Sequence, residues 1–226
     1  LIEYLCHRAR PFLFSTSHPP AAAAACTAAL DVLEQDPAII ERHWDSMTRF
    51  MEWRKKRAPD LRGRKDGNTW GDWLNVKEPT PIEFIDAAYF KHDADLMARM
   101  ARAIGRQNEA DDYAALSGNI ATQFAKDYQD PDGTLKVRTQ TAHVLALTFG
   151  LLPEATSKGI SDQLVARIAK NDFRMATGFL GTKPLLPALS ANGQNDLASR
   201  LFQSRRFPSW GYEVVNGATS VRERWD

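Results

Sequence analysis

The segment that follows Pro37 has the hydrophobic pattern of an amphipathic helix. Its apolar residues recur at spacings of three and four, which is the period of one helix face. They are Ile39, Ile40, Trp44, Met47, Phe50, Met51 and Trp53. Proline is tolerated in the first turn of a helix, where its missing N–H has no partner to lose. The pattern therefore predicts a helix that begins at Pro37 and continues through Trp53.

Similar patterns, separated by glycine and proline, recur along the rest of the chain. A capping box, Thr80-Pro81-Ile82-Glu83, predicts the start of a helix that ends near Ile104. Further helices are predicted over residues 108–128, 139–149, 161–170, where Ser161 is the expected cap, and 195–203. Residues 58–79 are predicted to be irregular, and residues 177–191 to form a loop with a short helix.

The beginning of the chain predicts two further elements. Residues 11–16 read as a short extended run, and Pro19-Pro20 precedes an alanine-rich helix that ends near Gln35. The alternation typical of strands is almost absent after residue 18. The sequence therefore predicts an all-α fold of seven to nine helices, arranged as antiparallel hairpins.

Charge and cysteine content narrow the classes of function. The 29 basic and 28 acidic residues leave a formal net charge of +1, which gives no electrostatic footprint for nucleic acid or an anionic membrane. The longest apolar stretch, residues 19–30, is too short to span a bilayer. Cys6 and Cys26 fit no zinc-binding spacing. We expect a cytoplasmic protein that binds a small-molecule substrate, with both ends of the chain cut from longer sequences.

The first 43 residues resemble the α-oxoamine synthases, and within them 2-amino-3-ketobutyrate CoA ligase (glycine C-acetyltransferase). The segment RPFLFSTS followed by a small-residue helix carries the likeness. By this resemblance, Ser15 and Thr16 match residues that reach the phosphate of pyridoxal phosphate. The lysine that forms the Schiff base in that family has no counterpart here, so we expect no pyridoxal-phosphate activity.

Residues 44–226 resemble glycoside hydrolase family 78, the α-L-rhamnosidases. Co-linear motifs carry this likeness: Gly71-Asp72-Trp73-Leu74, Gln140-Thr141-Ala142, Thr177–Thr182, Pro208–Tyr212, and Gly217–Ser220 leading into Glu223-Arg224-Trp225-Asp226. The resemblance implies an incomplete (α/α)6 barrel, an α/α toroid of helical hairpins. It also implies that Glu223 matches the general base and that Asp72, Trp73 and Trp210 line the sugar site. At position 222 the family usually has a tryptophan, where this chain has arginine.

The resemblance also predicts a loss of activity. The family inverts the anomeric centre with two carboxyl groups, one acting as acid and one as base. The family's segment with the general acid has no match in this sequence. We therefore expect a chimeric, truncated rhamnosidase-like scaffold that no longer cleaves rhamnosides. The junction near residues 41–45 falls inside the helix predicted after Pro37, so the two parts are expected to form one folded unit.

Two alternative functions remain open on the sequence. His92, Asp93 and His143 could form a zinc site that hydrolyses activated esters or phosphotriesters, because imidazole and carboxylate suit zinc. The chain could instead be a non-catalytic sugar-binding or structural module. No cofactor other than this hypothetical zinc is predicted. Loss of barrel helices would expose apolar faces, which predicts a homodimer or higher homo-oligomer.

Overall fold

The computed structural model describes residues 37–65 and 70–225. Over these residues the chain forms eight α-helices and one 3-10 helix, Glu154–Thr156. The α-helices are α1 (Pro37–Arg57), α2 (Ile82–Ala103), α3 (Gln107–Tyr128), α4 (Gln140–Thr148), α5 (Ser157–Lys170), α6 (Phe179–Ala191), α7 (Asn195–Phe202) and α8 (Trp210–Val215). Within the same residues there is no strand, and one isolated antiparallel bridge joins Gln129 to Leu135. The predicted all-α fold is confirmed.

Most helices pack against their neighbours in sequence, as expected for hairpins with short connections. The most extensive pair is α2 with α3, which are joined by a turn of three residues around Gly105. Gly105 has a φ of +73°, a conformation that glycine adopts without strain. Helix α4 is central, because it contacts α2, α5 and α6. It therefore links the α1–α3 part of the array to the α5–α7 part.

The hydrophobic core runs through the array as three adjoining clusters. The first lies between α1, α2 and α3 around Trp44 and Phe90, and the second between α2, α3 and α4 around Phe84 and Phe124. The third joins α4, α5, α6 and α7. Helix α4 supplies buried residues to two of these clusters. Seven of its nine residues are buried, because neighbouring elements cover it on almost every side.

A buried ion pair fixes α1 against α2. The Arg54 guanidinium donates to the Asp86 carboxylate at 2.6 Å and to the Asp86 carbonyl at 2.9 Å. It also lies over the Phe90 ring, 4.7 Å from the centroid. The other carboxylate oxygen of Asp86 accepts the backbone N–H of Arg64 at 2.9 Å. One carboxylate thus connects α2 to α1 and to the irregular segment after it.

Three local predictions were wrong. Thr80 does not cap α2, because its hydroxyl pairs with that of Thr139 at 2.6 Å. Helix α5 begins at Ser157, and Ser161 is buried inside it. Residues 179–191 form a continuous helix despite Pro184 and Pro187, since the burial of its apolar face compensates for the lost backbone hydrogen bonds.

The predicted junction between two fragments, at residues 43 and 44, falls inside α1, which is unbroken from Pro37 to Arg57. The predicted extended run over residues 11–16, the alanine-rich helix over 19–35, Ser15, Thr16, Cys6 and Cys26 lie outside the described residues. Among the residues that are described, no helix is long and apolar enough to cross a membrane.

Candidate functional site

Asp72 is the centre of a buried polar junction in the irregular segment before α2. Its side chain is only 3% exposed. One carboxylate oxygen accepts the Thr141 hydroxyl at 2.5 Å and the Gly178 N–H at 2.8 Å. The other accepts the N–H of Leu180 at 3.0 Å and that of Gly181 at 3.4 Å. These contacts, which we call the Asp72 junction, join the segment to α4 and to the first turn of α6.

Two donors of the Asp72 junction are backbone N–H groups in the first turn of α6. The first N–H groups of α6 have no partner within their own helix, and the Asp72 carboxylate satisfies two of them. A negative charge at a helix N-terminus is also favoured by the helix dipole. Burial nevertheless raises the pKa of Asp72, and the four donors oppose this rise in part.

Gln140 makes a second set of contacts beside the Asp72 junction. Its side-chain oxygen accepts the Ala176 N–H at 2.9 Å, and its side-chain amide donates to the Arg174 carbonyl at 3.0 Å. Its backbone N–H donates to the Glu78 carboxylate at 2.8 Å. Gln140 and its neighbour Thr141 therefore fix the loops on both sides of α4, roles that the sequence reasoning did not assign to them.

Two glycines permit the close approach of backbone at this junction. A Cβ atom on Gly178 would lie 2.3 Å from the Trp73 carbonyl oxygen and 2.5 Å from that of Asp72. A Cβ atom on Gly181 would lie 2.3 Å from the Thr141 hydroxyl oxygen. The Thr-Gly-Phe-Leu-Gly motif therefore reflects packing as well as any contact with a ligand.

A small cleft opens beside this junction, between the start of α6, the start of α8 and the segment that ends in Trp225. Its volume is about 40 Å³, and it opens to solvent along the exposed residues Val221, Arg222 and Glu223. It is lined by Leu74, Gly178, Phe179, Thr182, Lys183, Trp210, Val221, Arg222, Glu223 and Trp225. Two of the predicted site residues, Glu223 and Trp210, thus share one cleft.

Of the four predicted site residues, Glu223 and Trp210 line the cleft, whereas Asp72 and Trp73 do not. Glu223 is exposed at its edge, and Trp210 is half-buried. The Trp210 ring packs edge-on against Trp225, with centroids 5.6 Å apart. The ring of Trp73 packs against that of the exposed Trp70, with centroids 4.7 Å apart. The backbone carbonyl of Trp73 accepts the Phe179 N–H at 3.0 Å. Asp72 is linked to the cleft through its hydrogen bond with Gly178, which lines the cleft.

Glu213 supports the segment that carries Glu223. It lies in α8 with 4% of its surface exposed, and one of its carboxylate oxygens has no hydrogen-bond partner in the described protein. Burial raises its pKa, whereas the backbone N–H and the charge of Arg222 oppose the rise. This contact brings the residue next to Glu223 against α8.

The structure does not bring the predicted zinc ligands together. His92 stacks on the Phe149 ring at 4.1 Å, and burial lowers its pKa. Both ring nitrogens of the buried His143 are engaged, one at 2.7 Å from the Thr139 carbonyl and one at 3.1 Å from Gln163. Among the described residues, no group of three His, Cys, Asp or Glu side chains could bind a metal ion. Two histidines on separate helices were insufficient grounds for that prediction, because their rings face different neighbours.

Comparison with known proteins identifies the larger part of the chain. Residues 20–226 match the model of the bacterial alpha-L-rhamnosidase 6 hairpin glycosidase domain. An alpha-L-rhamnosidase of Streptomyces avermitilis is 44% identical over 191 residues, which are 84% of this chain and 18% of that protein. The chain spans about a fifth of the length of the curated rhamnosidases it matches.

Solved structures agree with this match. The crystal structure of Streptomyces avermitilis alpha-L-rhamnosidase complexed with L-rhamnose superposes with a TM-score of 0.81 at 42% identity, covering 85% of this chain and 18% of that one. The rhamnosidase of Aspergillus terreus gives a TM-score of 0.68 at 31% identity, covering 71% and 20%. The described helices therefore correspond to part of a six-hairpin α/α toroid.

The beginning of the chain is similar to a different family. An 8-amino-7-oxononanoate synthase of Symbiobacterium thermophilum is 56% identical over 52 residues, 23% of this chain and 13% of that protein. A Bacillus subtilis synthase is 58% identical over 50 residues, 22% of this chain and 13% of its own. These proteins are α-oxoamine synthases, which confirms the predicted N-terminal resemblance at the level of the family.

The family model covers residues 20–226, which are most of the chain. The chain therefore belongs to the bacterial α-L-rhamnosidase six-hairpin glycosidase family.

Proposed function

We propose that this chain carries the general-base side of an α-L-rhamnosidase-type sugar site, and that by itself it binds the sugar without cleaving a rhamnoside. One observation carries the proposal: Glu223 and Trp210 line the same cleft, and the loop at Gly178 that forms one of its walls is held by Asp72. The relative with bound L-rhamnose gives the substrate class.

The chemistry of inversion supports the absence of turnover. An inverting glycosidase needs one carboxylic acid to protonate the leaving oxygen and one carboxylate to activate water, about 6.5–9.5 Å apart. Glu223 is the one carboxylate among the described residues that line the cleft. A single carboxylate cannot perform both proton transfers in one step. Glu223 therefore acts as the base position of an incomplete pair.

The aromatic residues supply the binding surface in this proposal. Trp210 and Trp225 present ring surface to the cleft, and such rings pack against the C–H face of a sugar. Lys183 and Arg222 add hydrogen-bond donors at the edge. Asp72 acts as a positioning residue, because its oxygens already accept four hydrogen bonds from the protein.

A turnover assay tests the catalytic half of the proposal. The purified chain is incubated with an aryl α-L-rhamnoside, beside the Glu223→Gln variant. We expect the same release of the aryl group from both proteins, equal to the rate without protein. Release by the unaltered chain that disappears in Glu223→Gln would show that the chain retains a working pair of carboxyl groups.

A binding titration tests the other half. L-rhamnose is added to the chain while tryptophan fluorescence is recorded, and calorimetry is run in parallel. We expect saturable binding that Trp210→Phe weakens about fivefold, since a ring contact contributes on the order of 1 kcal/mol. Trp53→Phe is the matched control, because Trp53 lies on α1 away from the cleft. Without saturation at any concentration, the chain would be a structural module instead.

A further inference from the structure

A second depression, distinct from the cleft, lies between α1 and α2. Its volume is about 270 Å³, and we call it the methionine groove. Four of the chain's five methionines line it: Met47 and Met51 from α1, and Met97 and Met100 from α2. The members of each pair are one helical turn apart, so they lie on one face of their helix. Methionine is flexible and polarisable, so a surface rich in it adapts its shape to an apolar ligand.

One carboxylate interrupts this apolar lining. Asp93 lies one turn before Met97 on the same face of α2, and among the described residues it is the one charged side chain that lines the groove. The carboxylate is partly buried, and no described residue donates a hydrogen bond to it. An ionised carboxylate accepts several hydrogen bonds. Asp93 therefore keeps its acceptor positions for a molecule in the groove.

The cation that acts on Asp93 is already engaged by another carboxylate. Burial raises the pKa of Asp93 to about 6, while Arg54 on α1 opposes the rise and Asp86 adds to it. Arg54 donates its hydrogen bonds to Asp86, and the Arg57 guanidinium lies 3.3 Å from the same carboxylate. Asp86 is thus matched with two cations. Asp93 has no cation within ion-pair distance among the described residues.

The other polar side chain of the groove is also an acceptor. The Ser46 hydroxyl donates to the His43 carbonyl at 2.8 Å, which uses its single proton. The hydroxyl oxygen retains lone pairs that accept a hydrogen bond from a ligand. Phe50, which is 47% exposed, adds an aromatic ring, and the face of such a ring attracts a cation. These features all favour a positively charged donor.

We propose that the methionine groove binds a hydrophobic amine, which is an ammonium group attached to an aromatic or aliphatic body. The ammonium group donates to the Asp93 carboxylate, with the Ser46 hydroxyl as a further acceptor, and the body packs among the methionine side chains. A volume of about 270 Å³ suits a molecule smaller than drug-sized ligands, whose pockets measure about 300–1,000 Å³. The proposal is independent of the cleft at Glu223, because the two depressions share no lining residue.

Methyl NMR of the full chain, isotope-labelled at the methionine methyl groups, tests the site. Phenethylamine is the probe, and phenethyl alcohol is its control, because it has the same ring and chain length with a neutral hydroxyl. We expect the amine to shift the signals of the groove methionines until they saturate. Met175 is the internal reference, since it is buried in the cluster that joins α4 to α7. The alcohol should bind at least about tenfold more weakly.

A pair of variants tests the role of the carboxylate. Asp93→Asn keeps the size of the side chain and removes its charge, so it should weaken binding of the amine at least about tenfold and leave the alcohol unaffected. Asp45→Asn is the matched control, because Asp45 is an exposed carboxylate on α1, next to Ser46, that does not line the groove. It should change either affinity less than about twofold.

The ionisation of Asp93 provides a second readout. Arg54 on α1 and Asp86 on α2 act on its charge, and the neighbouring Tyr89 on α2 has its pKa raised to about 12 by burial and by the charges of Asp72 and Asp93. With a pKa of about 6, the carboxyl group takes up a proton at lower pH and loses its attraction for the ammonium group. Affinity should therefore fall about tenfold from pH 7.5 to pH 5, where the amine remains charged, and this fall should be absent in Asp93→Asn.

Three results would overturn the proposal. Equal affinities for the amine and the alcohol would show that the groove selects for apolar surface alone. An unchanged affinity for the amine in Asp93→Asn, in a protein with native helix content, would remove the carboxylate from the site. Methionine signals that do not respond up to the solubility limit of the amine, or that respond together with Met175, would show that the groove does not bind this class of molecule.

Discussion

The hydroxyl of Thr141 donates a 2.5 Å hydrogen bond to the carboxylate of Asp72, although 69 residues separate the two in sequence. Both side chains are buried. Thr141 lies in the first turn of α4, and the same carboxylate oxygen accepts the Gly178 N–H at the start of α6. The Asp72 junction therefore sets the position of the loop that forms one wall of the cleft.

Replacement of one of the two carboxylate oxygens of Asp72 is expected to destabilise the protein. In Asp72→Asn an NH₂ group replaces one oxygen and faces donors that then lack a partner. A buried unpaired donor costs about 1–3 kcal/mol, so we expect a loss of about 2–4 kcal/mol in the free energy of unfolding. Denaturant titration followed by circular dichroism measures it. Asp112→Asn, at an exposed position on α3, should change stability little.

A methyl group at Gly178 is expected to displace the loop. Its Cβ would lie 2.3 Å from the Trp73 carbonyl oxygen, so the backbone must move. We expect Gly178→Ala to lower the free energy of unfolding by about 2 kcal/mol or more. Gly118→Ala is the matched control, because Gly118 lies inside α3 and a Cβ added there would meet no atom of the described residues within 4 Å. It should stabilise by about 0.5–1 kcal/mol, and equal losses in both variants would contradict the argument.

Stability should depend on pH through Asp93. Burial raises its pKa from 3.8 to about 6, with Asp86 adding to the rise and Arg54 opposing it. Between these values the folded state binds a proton that the unfolded state has lost, so stability falls as pH rises from about 4 to about 6. Asp93→Asn should abolish this loss, and at pH 7 its free energy of unfolding should exceed that of the unaltered chain by about 3 kcal/mol.

The test of Asp93 is a series of thermal unfolding curves from pH 3 to pH 8. Near pH 3 the carboxyl group is protonated in both states, and the two proteins should unfold at similar temperatures. The difference should develop between pH about 4 and about 6, the pKa in the folded state, and stay constant above that range. A difference that is constant over the whole range would mean that packing, and not ionisation, distinguishes the variant.

Self-association is expected through the exposed surface of α7 and α8. Phe202 is 61% exposed and Val214 is 67% exposed, so α7 and α8 present apolar surface. We expect light scattering to give twice the chain mass of 25.3 kDa. Val214→Glu should shift the protein towards monomer, whereas Ala166→Glu on α5, an exposed position with the same change in charge, should not. A monomer before any substitution would contradict this prediction.

The sequence predicted most of the fold because the apolar spacing was regular. The amphipathic pattern of α1 through α3 placed these helices to within a few residues of their observed bounds. The errors arose where a distant partner overrides a local signal. Thr80 was expected to cap α2, but Thr139 lies close enough to bind its hydroxyl. Helix α8 was missed, since its six residues are too few to show a period.

The site was less predictable from the sequence than the fold. Motif resemblance identified Glu223 and Trp210, which the structure brings to one cleft. The same resemblance gave no sign that Asp72 is buried, because its four donors lie 69 to 109 residues away along the chain. The zinc hypothesis considered residue types alone, whereas the ring of His143 is already engaged by neighbouring oxygens.

The long loops closed by Asp72 have a kinetic consequence. Contacts between residues far apart in sequence form slowly, since the intervening chain must be ordered first. The helix pair α2–α3, connected by a short turn, can assemble early. The Asp72 contacts require α4 and the start of α6 to be in place already. The wall of the cleft is therefore expected to be among the last parts of the protein to acquire its native structure during folding.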